Sequence, residues 1–443
     1  MNARETALKI LNAVYLEEAY ANVALAKEFR RVQPEDQDRR FITELVYGTV
    51  KAGETLDWMI RQYSSRPVSK IAPVLQNVLR MGIFQLFYMS KIPASAACNE
   101  AVELAKKYGH AGSVKFVNAI LRTAVREPER VSFPDGKGQA TRYLALSGQH
   151  PEWLVKRWIK EFGYEQATKL CAFNNTQAVL SLRTNTLKTD REVLLQQLRE
   201  SGAVAEISKW TPEGILCEQH GALDALSVLQ NGYCQVQDES SMLVAHVLAP
   251  EPGEFIIDCC SAPGGKTTHI AALMKNSGHL LAGDIYEHKL EKIRENAERL
   301  GISIIETKLL DALEIGALYL QQADRVLVDA PCSGLGVLRR KPDARWRNKQ
   351  EALKALPALQ HAILKSASDA VKPGGVLVYS TCTITREENQ AVVEAFLQEN
   401  PAFILDDTGA FLPEEKRQEK MIQLLPQIDG TDGFFIARMK RRK

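Results

Sequence analysis

The chain has 443 residues and a formal net charge of +2, and its 45% hydrophobic and 25% charged residues are ordinary for a soluble globular protein. No apolar run approaches the roughly 18 residues of a membrane span, and the start lacks the uninterrupted apolar stretch of a secretory signal. The length exceeds one ordinary core, so we expect two or three domains.

Eight cysteines show no metal-ligand pairing such as two Cys-x-x-Cys units. We therefore expect free thiols in a reducing cytoplasm, and no bound metal. The charge is uneven, because residues 1–128 carry 18 Lys or Arg against 13 Asp or Glu, whereas the remainder carries 38 against 41. A basic first part suits a polyanion such as nucleic acid, although a solvated helical surface gives the same imbalance.

Residues 1–128 predict an all-helical domain. Ala7, Leu8, Leu11 and Val14 recur at three- and four-residue spacing, as one face of a helix requires. Similar stretches follow, and prolines separate them. The first domain is therefore expected to be a bundle of helices.

A small α+β module is predicted at 140–235, after a polar segment at 127–138 that is typical of a linker. Val179–Asn185 alternates like a strand, and Asp190–Ser201 has the pattern of a helix. Two further short strands would complete the module.

Residues 236–443 predict a parallel sheet with helices on both faces, because strand-like apolar runs alternate with helical stretches. The predicted strands lie at 255–260, 279–285, 303–309, 325–330 and 375–381. The predicted helices lie at 267–274, 287–300, 351–370 and 387–399. A late strand at Phe434–Met439 is expected to close the sheet edge. In such a sheet the strand ends open into one crevice, where ligands bind.

The first strand of this sheet runs into a glycine-containing loop, Ser261–Thr268, directly before a helix. Glycines let the backbone approach a ligand closely, and the helix start offers free N–H groups. Asp284 ends the next strand, where an acid takes ribose hydroxyls, although a helix N-cap is an alternative. Asp311 follows the third strand and could accept from an adenine amino group. The loop matches neither Gly-x-Gly-x-x-Gly nor the P-loop, so it predicts a nucleotide cofactor without identifying it.

Two cysteines, Cys332 and Cys382, each stand just after a later strand. A thiolate that adds to C6 of cytosine or uracil makes C5 able to attack a methyl sulfonium. An ordinary thiol has a pKa of about 8.5, so the site must favour the thiolate, and Lys266 is one candidate for doing so. Asp329 could grip the amide-like edge of the ring. Physical chemistry alone does not decide which cysteine attacks.

A basic segment follows Cys332, with six Lys or Arg and one Trp against one acid in Leu338–Lys349. Such a mixture contacts phosphates and stacks a base, although a solvated loop is the alternative. The candidate RNA contacts in it are Arg339, Arg340, Lys341, Arg345 and Arg347.

Three motifs together resemble the signatures of S-adenosylmethionine-dependent RNA cytosine-5 methyltransferases: Asp258–His269, Asp329–Gly336 and Tyr379–Thr383. The first domain, in Arg39–Gly48 and Lys115–Arg122, resembles the RNA-binding antitermination factor NusB. That pairing is characteristic of bacterial 16S rRNA methyltransferases. The resemblance implies a NusB-like domain at 1–128, a small α+β module at 140–235, and a Rossmann-like class I methyltransferase domain at 236–443.

The resemblance also implies roles for individual residues. The cofactor, S-adenosylmethionine, would be bound by Cys260, Ser261, Ala262, Pro263, Gly264, Gly265, Lys266, Asp284, Asp311 and Asp329. Cys382 would be the nucleophile and Cys332 would assist product release, with Asp329 and Lys266 completing the catalytic set. The DNA counterparts use the cysteine of a Pro-Cys motif, which would instead nominate Cys332. The implied partner is 16S rRNA, free or in an early small-subunit particle, and the chain is expected to be a monomer.

Two other functions compete with this one. A nicotinamide-dependent dehydrogenase shares the geometry of Gly264 and Asp284, but it leaves both cysteines and the basic segment without a role. A non-catalytic RNA-binding ribosome assembly factor could keep a methyltransferase-like fold. Degenerate proteins of that kind commonly lose a cysteine or the glycines, and here all are present.

Overall fold

The protein is described by a computed structural model in which residues 2–134, 136–219, 226–411 and 420–443 are placed. It divides into two compact units, residues 1–176 with 338–348, and residues 177–337 with 349–443. Among the placed residues, no helix combines the length and apolar character needed to cross a membrane.

The first unit is helical, as predicted. Its helices are α1 (Ala3–Leu16), α2 (Ala21–Val32), α3 (Asp36–Tyr63), α4 (Pro73–Tyr88), α5 (Ala94–Tyr108), α6 (Ala111–Arg126), α7 (Gly136–Ser147) and α8 (Glu152–Asn175). The predicted apolar face is buried, since Leu8 and Leu11 are fully enclosed among side chains of α3 and α4. The segment predicted as a linker runs into α7, and α7 and α8 belong to this unit rather than to the next module. The three predicted domain boundaries stay a prediction.

The small α+β module begins the second unit. Its elements are β1 (Leu180–Thr184), α9 (Arg191–Glu200), β2 (Val204–Ile207), β3 (Gly214–Gln219), α10 (Ser227–Gln230) and β4 (Cys234–Val236). The strands are antiparallel in the order β2-β3-β1-β4. Leu182, Leu194 and Ile215 are buried together in its core, which confirms the mixed character that the sequence predicts.

A larger sheet fills the rest of this unit. Its strands are β5 (Phe255–Asp258), β6 (His279–Asp284), β7 (Ile305–Leu309), β8 (Ala323–Asp329), β9 (Val371–Thr381), β10 (Phe403–Leu405), β11 (Met421–Leu424) and β12 (Phe434–Arg441). The helices in this part of the chain are α11 (Glu239–Leu248), α12 (Gly265–Leu273), α13 (Glu287–Leu300), α14 (Ile315–Leu318), α15 (Ala344–Arg347), α16 (Leu356–Ala370), α17 (Gln390–Glu399) and α18 (Pro426–Asp429). Of these, α15 lies in the segment that belongs to the first unit.

The strand order in the larger sheet is β10-β12-β9-β8-β5-β6-β7, with β11 also paired to β12. The strands from β5 to β9 are parallel, whereas β12 runs antiparallel to β9. Ile256 and Ile257 are both fully buried but in separate clusters, so both faces of the sheet are covered. The expectation that the last strand closes the sheet edge is wrong, because β10 and β11 pair with β12 on its far side.

This topology positions the site. Because parallel strands end on the same side, the carboxyl ends of β9, β8, β5, β6 and β7 follow one another along one edge of the sheet. The two cysteine segments, the glycine-containing loop and the two predicted cofactor acids therefore lie along one edge.

Candidate active site

The loop between β5 and α12 makes a tight turn at Gly264. Gly264 has a φ of +98°, and a Cβ there would lie 3.3 Å from the Cα of Ile293, so both conformation and space favour glycine. Ser261 fixes the loop, since its backbone N–H and its hydroxyl each donate to the Gly283 carbonyl over 2.9 Å. A Cβ on Gly265 would meet nothing nearer than 4.0 Å. The start of α12 therefore leaves open space beside Gly265, next to a helix terminus whose first N–H groups lack partners within the helix.

The other loop residues line the same turn. Cys260 and Ala262 are half-buried, and Pro263 is exposed with its carbonyl accepting from Asn296 over 3.0 Å. Burial, with the nearby Asp258 charge, raises the pKa of Cys260. Its thiol is therefore neutral at physiological pH, and Cys260 competes poorly as a nucleophile.

Two carboxylates lie at the ends of the neighbouring strands, one on the last residue of β6 and the other just after β7. Asp284 is buried at the end of β6 and accepts from the Tyr286 backbone N–H over 3.1 Å. Tyr286, not Asp284, is the N-cap of α13, so the alternative of an N-cap role for Asp284 is wrong. Asp311 is exposed beyond β7 and accepts from the Leu313 N–H over 2.9 Å. Both carboxylates lie at the sheet edge where hydroxyl and amino donors of a nucleotide can be bound.

Lys266 and Asp329 form an ion pair at the end of β8. The Lys266 Nζ lies 2.7 Å from one Asp329 oxygen, and the Ser380 hydroxyl donates to the other over 2.8 Å. The ammonium also lies 5.1 Å from the centre of the Phe434 ring. Burial lowers the pKa of Lys266, but the charge and hydrogen bond of Asp329, together with Cys382, raise it overall. Lys266 is therefore a fixed positive charge in the site.

The two cysteines lie side by side. Cys332 follows β8 and Cys382 follows β9, and their sulfur atoms are 3.3 Å apart. The Gly336 N–H donates to the Cys382 carbonyl over 3.0 Å, which ties the two segments together. The hydrogen bond with Cys382 and burial, together with the negative charges of Cys382 and Glu388, raise the pKa of Cys332 well above its ordinary value. Cys332 is therefore held as a neutral thiol.

Sequence reasoning missed Glu388 and Asn389, which hold these segments. Glu388 is 1% exposed and accepts from the Ser333 N–H over 2.8 Å. Asn389 accepts from the Thr381 hydroxyl over 2.6 Å and donates to the Thr383 carbonyl over 3.0 Å, so it bridges both neighbours of Cys382. The two residues lay at the start of a predicted helix, where polar side chains are normally solvated. The helix instead begins at Gln390, after both of them.

Asp258, at the end of β5, is fully buried beneath this site. It accepts from the Thr267 hydroxyl over 2.8 Å. Burial raises the pKa of Asp258 to about 7, with Asp329 acting in the same direction and Thr267 and Lys266 opposing it. This carboxyl titrates near neutral pH, which the motif alone did not indicate.

Comparison with known proteins assigns each part of the chain. The family described as "16S rRNA methyltransferase RsmB/F" matches residues 245–440, and the NusB family matches residues 1–126. A "Methyltr_RsmF/B-like, ferredoxin-like domain" matches residues 150–224. A relative from Bacillus subtilis (strain 168), "Probable ribosomal RNA small subunit methyltransferase B", is 41% identical over 446 residues, covering 100% of this chain and 99% of the relative. The chain belongs to the 16S rRNA methyltransferase RsmB/F family.

Another curated relative and two crystal structures support the same family assignment. A Synechocystis sp. (strain ATCC 27184 / PCC 6803 / Kazusa) protein of the same description is 38% identical over 449 residues, covering 100% of both chains. The crystal structure of PH0851 matches with a TM-score of 0.85 and 27% identity, covering 100% of this chain and 99% of its own. That of NSun6 from Pyrococcus horikoshii with SFG matches 66% of this chain and 98% of its own, with a TM-score of 0.60 and 26% identity.

Membership of the RsmB/F family makes the chain an rRNA methyltransferase with S-adenosylmethionine as its cofactor. The predicted fold class is confirmed, with a NusB-like helical domain, a ferredoxin-like module and a Rossmann-like methyltransferase domain. The dehydrogenase alternative is excluded. The site fits the cofactor, because the turn at Gly264, the open space before Gly265 and the carboxylates of Asp284 and Asp311 suit a nucleoside with free hydroxyl and amino groups.

Arg345 corrects the prediction for the basic segment. It is 0% exposed, and its guanidinium donates to the carbonyls of Gln149 and Asn174 and to the side chain of Asn175, over 2.8, 3.1 and 2.9 Å. These acceptors lie just after the end of α7 and at the end of α8, where helices leave carbonyls without partners. Arg345 is therefore a structural residue of the helical unit and is not available to a phosphate.

Trp346 is built into the same unit. Its indole N–H donates to the Val50 carbonyl over 2.8 Å, beside the break that α3 makes at Gly53. A Cβ on Gly53 would lie 2.5 Å from the indole, so a residue other than glycine would clash with Trp346 at this position. This ring is not free to stack on a base.

The other candidates in the basic segment are placed differently. Arg339 lies 4.4 Å from the centre of the Phe173 ring, and Arg347 donates to the Ala19 carbonyl, yet both are partly exposed. Arg340 is partly exposed and Lys341 is exposed. The sequence pattern identified a positively charged segment, but it did not show which of its cations bind to other groups of the protein and are therefore not available to RNA.

A further titratable cluster in the second unit escaped sequence reasoning. Glu213 accepts from His246 Nε2 over 2.9 Å and lies 2.7 Å from His269 Nε2. Burial and the nearby Arg183 lower the pKa of His269 to about 4. The three side chains present metal-binding atom types within 4.8 Å of one another, but their separations are those of hydrogen bonds and ion pairs. The expectation of no metal stays a prediction.

Proposed function

We propose that the chain transfers a methyl group from S-adenosylmethionine to C5 of a cytosine in 16S rRNA, through a covalent bond between Cys382 and C6. The observation that carries this proposal is the pair of sulfur atoms 3.3 Å apart beside the Lys266–Asp329 ion pair. Methyl transfer to a nitrogen or a hydroxyl needs no thiol, whereas an unactivated ring carbon needs a nucleophile to add first.

Holding the cofactor is the role of the β5–α12 loop and the adjacent acids. Gly264, Gly265 and the backbone from Cys260 onward would line it, Asp284 would accept from the ribose hydroxyls, and Asp311 would lie on the adenine side. When bound, S-adenosylmethionine supplies an electrophilic methyl group.

The chain's own residues would activate the base. The Cys382 sulfur, as a thiolate, forms a bond to C6, and the electron pair of the C5=C6 bond moves towards C5. Asp329 accepts a hydrogen bond from the amide-like edge of the ring, and Lys266 stabilises the negative sulfur before it attacks. Fixed in an ion pair, Asp329 and Lys266 need little rearrangement for this step.

Release requires the reverse movement of electrons. After methylation C5 carries both the methyl group and its original proton. Transfer of that proton to solvent water restores the C5=C6 bond, and the C6–S bond breaks with its electron pair on the sulfur of Cys382. Cys332, 3.3 Å from that sulfur, would assist the departure.

The RNA is expected to contact several basic residues. Lys341 suits a phosphate contact because it is exposed, and the partly exposed Arg339, Arg340 and Arg347 could add to it with the part of each guanidinium that remains accessible. We also propose that the helical domain at 1–128 binds RNA, and that a monomer acts on 16S rRNA, free or in an early small-subunit particle. The eight free cysteines fit a cytoplasmic location.

Nucleoside analysis tests this function. The full chain is incubated with S-adenosylmethionine and 16S rRNA, free or in particles, and the digested RNA is analysed by mass spectrometry. The proposal expects 5-methylcytidine from the wild type and from Cys98→Ala, a matched loss of a cysteine in α5, but not from Cys382→Ala. Methylation of another atom would contradict it, and RNA binding without any methylation would favour the assembly factor.

A further inference from the structure

The carboxylate of Glu388 is buried and fully engaged. One oxygen accepts from the Ser333 N–H over 2.8 Å and from the Gln360 side chain over 3.1 Å. The other accepts from the hydroxyls of Ser333 and Thr385 over 2.6 and 2.7 Å. A buried carboxylate costs free energy unless it is hydrogen-bonded, and here the Thr383 hydroxyl, 3.4 Å from the second oxygen, adds a fifth donor to these four.

These hydrogen bonds hold the backbone on both sides of Cys332. Ser333 directly follows that cysteine, and Gln360 also donates to the carbonyl of Pro331, which directly precedes it, over 3.0 Å. Glu388 and Gln360 therefore grip the segment from Pro331 to Ser333. The backbone that carries the Cys332 sulfur is thus held on both sides.

Glu388 also connects this segment to the other cysteine. Its backbone carbonyl accepts from the Tyr379 hydroxyl over 2.6 Å, and Tyr379 lies on β9 three residues before Cys382. The Thr383 and Ser333 hydroxyls lie 2.8 Å apart, which joins the residues that follow the two cysteines. The separation of the two sulfur atoms is thus set by a network with Glu388 at its centre.

We propose that Glu388 is a positioning residue that fixes Cys332 beside Cys382, so that Cys332 can assist product release. The inference rests on the proposed function, because it takes Cys382 as the nucleophile. Glu388 acts through the Pro331–Ser333 segment and touches no reacting atom. Its negative charge also helps to keep the Cys332 thiol neutral.

The test uses Glu388→Gln in the full chain. The glutamine keeps the size of the side chain, but its amide N–H₂ cannot accept from the donors that the carboxylate binds. Glu387→Gln is the matched control, an exposed glutamate one residue earlier. We expect Glu388→Gln to accumulate a protein–rRNA adduct and to lower multiple turnover by about 10- to 100-fold, the scale of a misplaced catalytic group. Single-turnover methyl transfer should stay close to that of Glu387→Gln, and the variant should remain folded with a modestly lower melting temperature, because some of the buried donors lose their acceptor.

Two results would overturn the inference. One is wild-type turnover with no adduct in Glu388→Gln, and the other is joint loss of adduct formation, methyl transfer and thermal stability, which indicates a purely structural role. Cys332→Ala on the same gel isolates the proposed function, since its failure to trap an adduct refutes the release role itself.

A second measurement needs no RNA. The rate at which iodoacetamide alkylates Cys332 is followed against pH by peptide mass spectrometry. We expect the Cys332 profile of Glu388→Gln to move to lower pH, because a neighbouring negative charge has been removed. An unchanged profile would mean that Glu388 does not control this cysteine.

Discussion

Cys332 and Cys382 carry the same side chain at the ends of adjacent strands, yet their surroundings differ. Cys332 lies in a segment gripped by the anionic Glu388, and its thiol is held neutral. Cys382 lies close enough to Lys266 to influence the pKa of that lysine. Asn389 accepts from the Thr381 hydroxyl before Cys382 and donates to the Thr383 carbonyl after it. A cation favours a thiolate and an anion disfavours one. The surroundings of each thiol, rather than the thiol itself, thus support the proposal that Cys382 is the nucleophile and Cys332 its assistant.

The largest expected effect comes from removing the proposed nucleophile. Cys382→Ala should lower methyl transfer to rRNA by about 10⁴-fold or more, as loss of a covalent nucleophile does elsewhere. Cys332→Ala should still methylate in a single turnover, because the attacking sulfur is intact. Quantifying methyl incorporation in both variants checks the comparison, and substantial activity in Cys382→Ala would reverse the two roles.

The buried carboxyl of Asp258 makes the stability of the folded protein depend on pH. Its pKa is about 7 in the folded protein, against about 3.9 in an unfolded chain. The folded state therefore binds the extra proton between these values, and stability falls as pH rises from about 4 to about 7. The shift corresponds to about 4 kcal/mol. Unfolding free energies at pH 5 and pH 8 should differ in the wild type by more than in Asp258→Asn, and equal differences would contradict this assignment.

Arg345 and Arg340 belong to the same basic segment but differ in burial, so their replacement should affect stability differently. Arg345→Ala leaves buried carbonyls of Gln149 and Asn174 without a donor, so it should destabilise the helical unit by about 3 kcal/mol. Denaturant unfolding measures this loss, with Arg340→Ala, a partly exposed cation of the same segment, as the control. Equal stability of the two variants would show that the guanidinium is not structural.

Replacing Lys266 tests whether its positive charge favours the thiolate of Cys382. Lys266→Met removes the cation while keeping an apolar side chain of similar length, and methyl transfer should fall by about 10²-fold. The pH at which activity reaches half its maximum should rise, because Cys382 then forms its thiolate less readily. Lys292→Met, on the exposed face of α13, is the control. A lower rate with an unchanged pH profile would assign Lys266 to binding alone.

The smallest expected effect concerns Lys341, an exposed cation of the basic segment. Lys341→Ala should leave stability unchanged and weaken rRNA binding slightly at all sequences. The slope of log affinity against log salt should fall by about one, the signature of one lost phosphate contact. An unchanged slope would remove this residue from the RNA interface.

Sequence patterns predicted the parallel strands well, but they missed β2, β10 and β11 and the partners of polar side chains. Buried parallel strands are continuous apolar runs, so the predicted ranges agree with β5, β6 and β9 to within a few residues. The prediction that the site residues lie together required only that the strands be parallel, because parallel strands end on the same side of a sheet. By contrast, the burial of Arg345 and Glu388 depends on acceptors and donors many residues away, and the place of β12 depends on non-local pairing. The charge of a residue is visible in the sequence, whereas its neighbours are not.

The most direct test of this assignment is a denaturing gel of 16S rRNA incubated with S-adenosylmethionine and each cysteine variant. We predict a protein–RNA adduct that accumulates with Cys332→Ala and disappears when Cys382 is also replaced by alanine. An adduct that accumulates with Cys382→Ala and requires Cys332 would contradict the assignment and exchange the roles of the two cysteines.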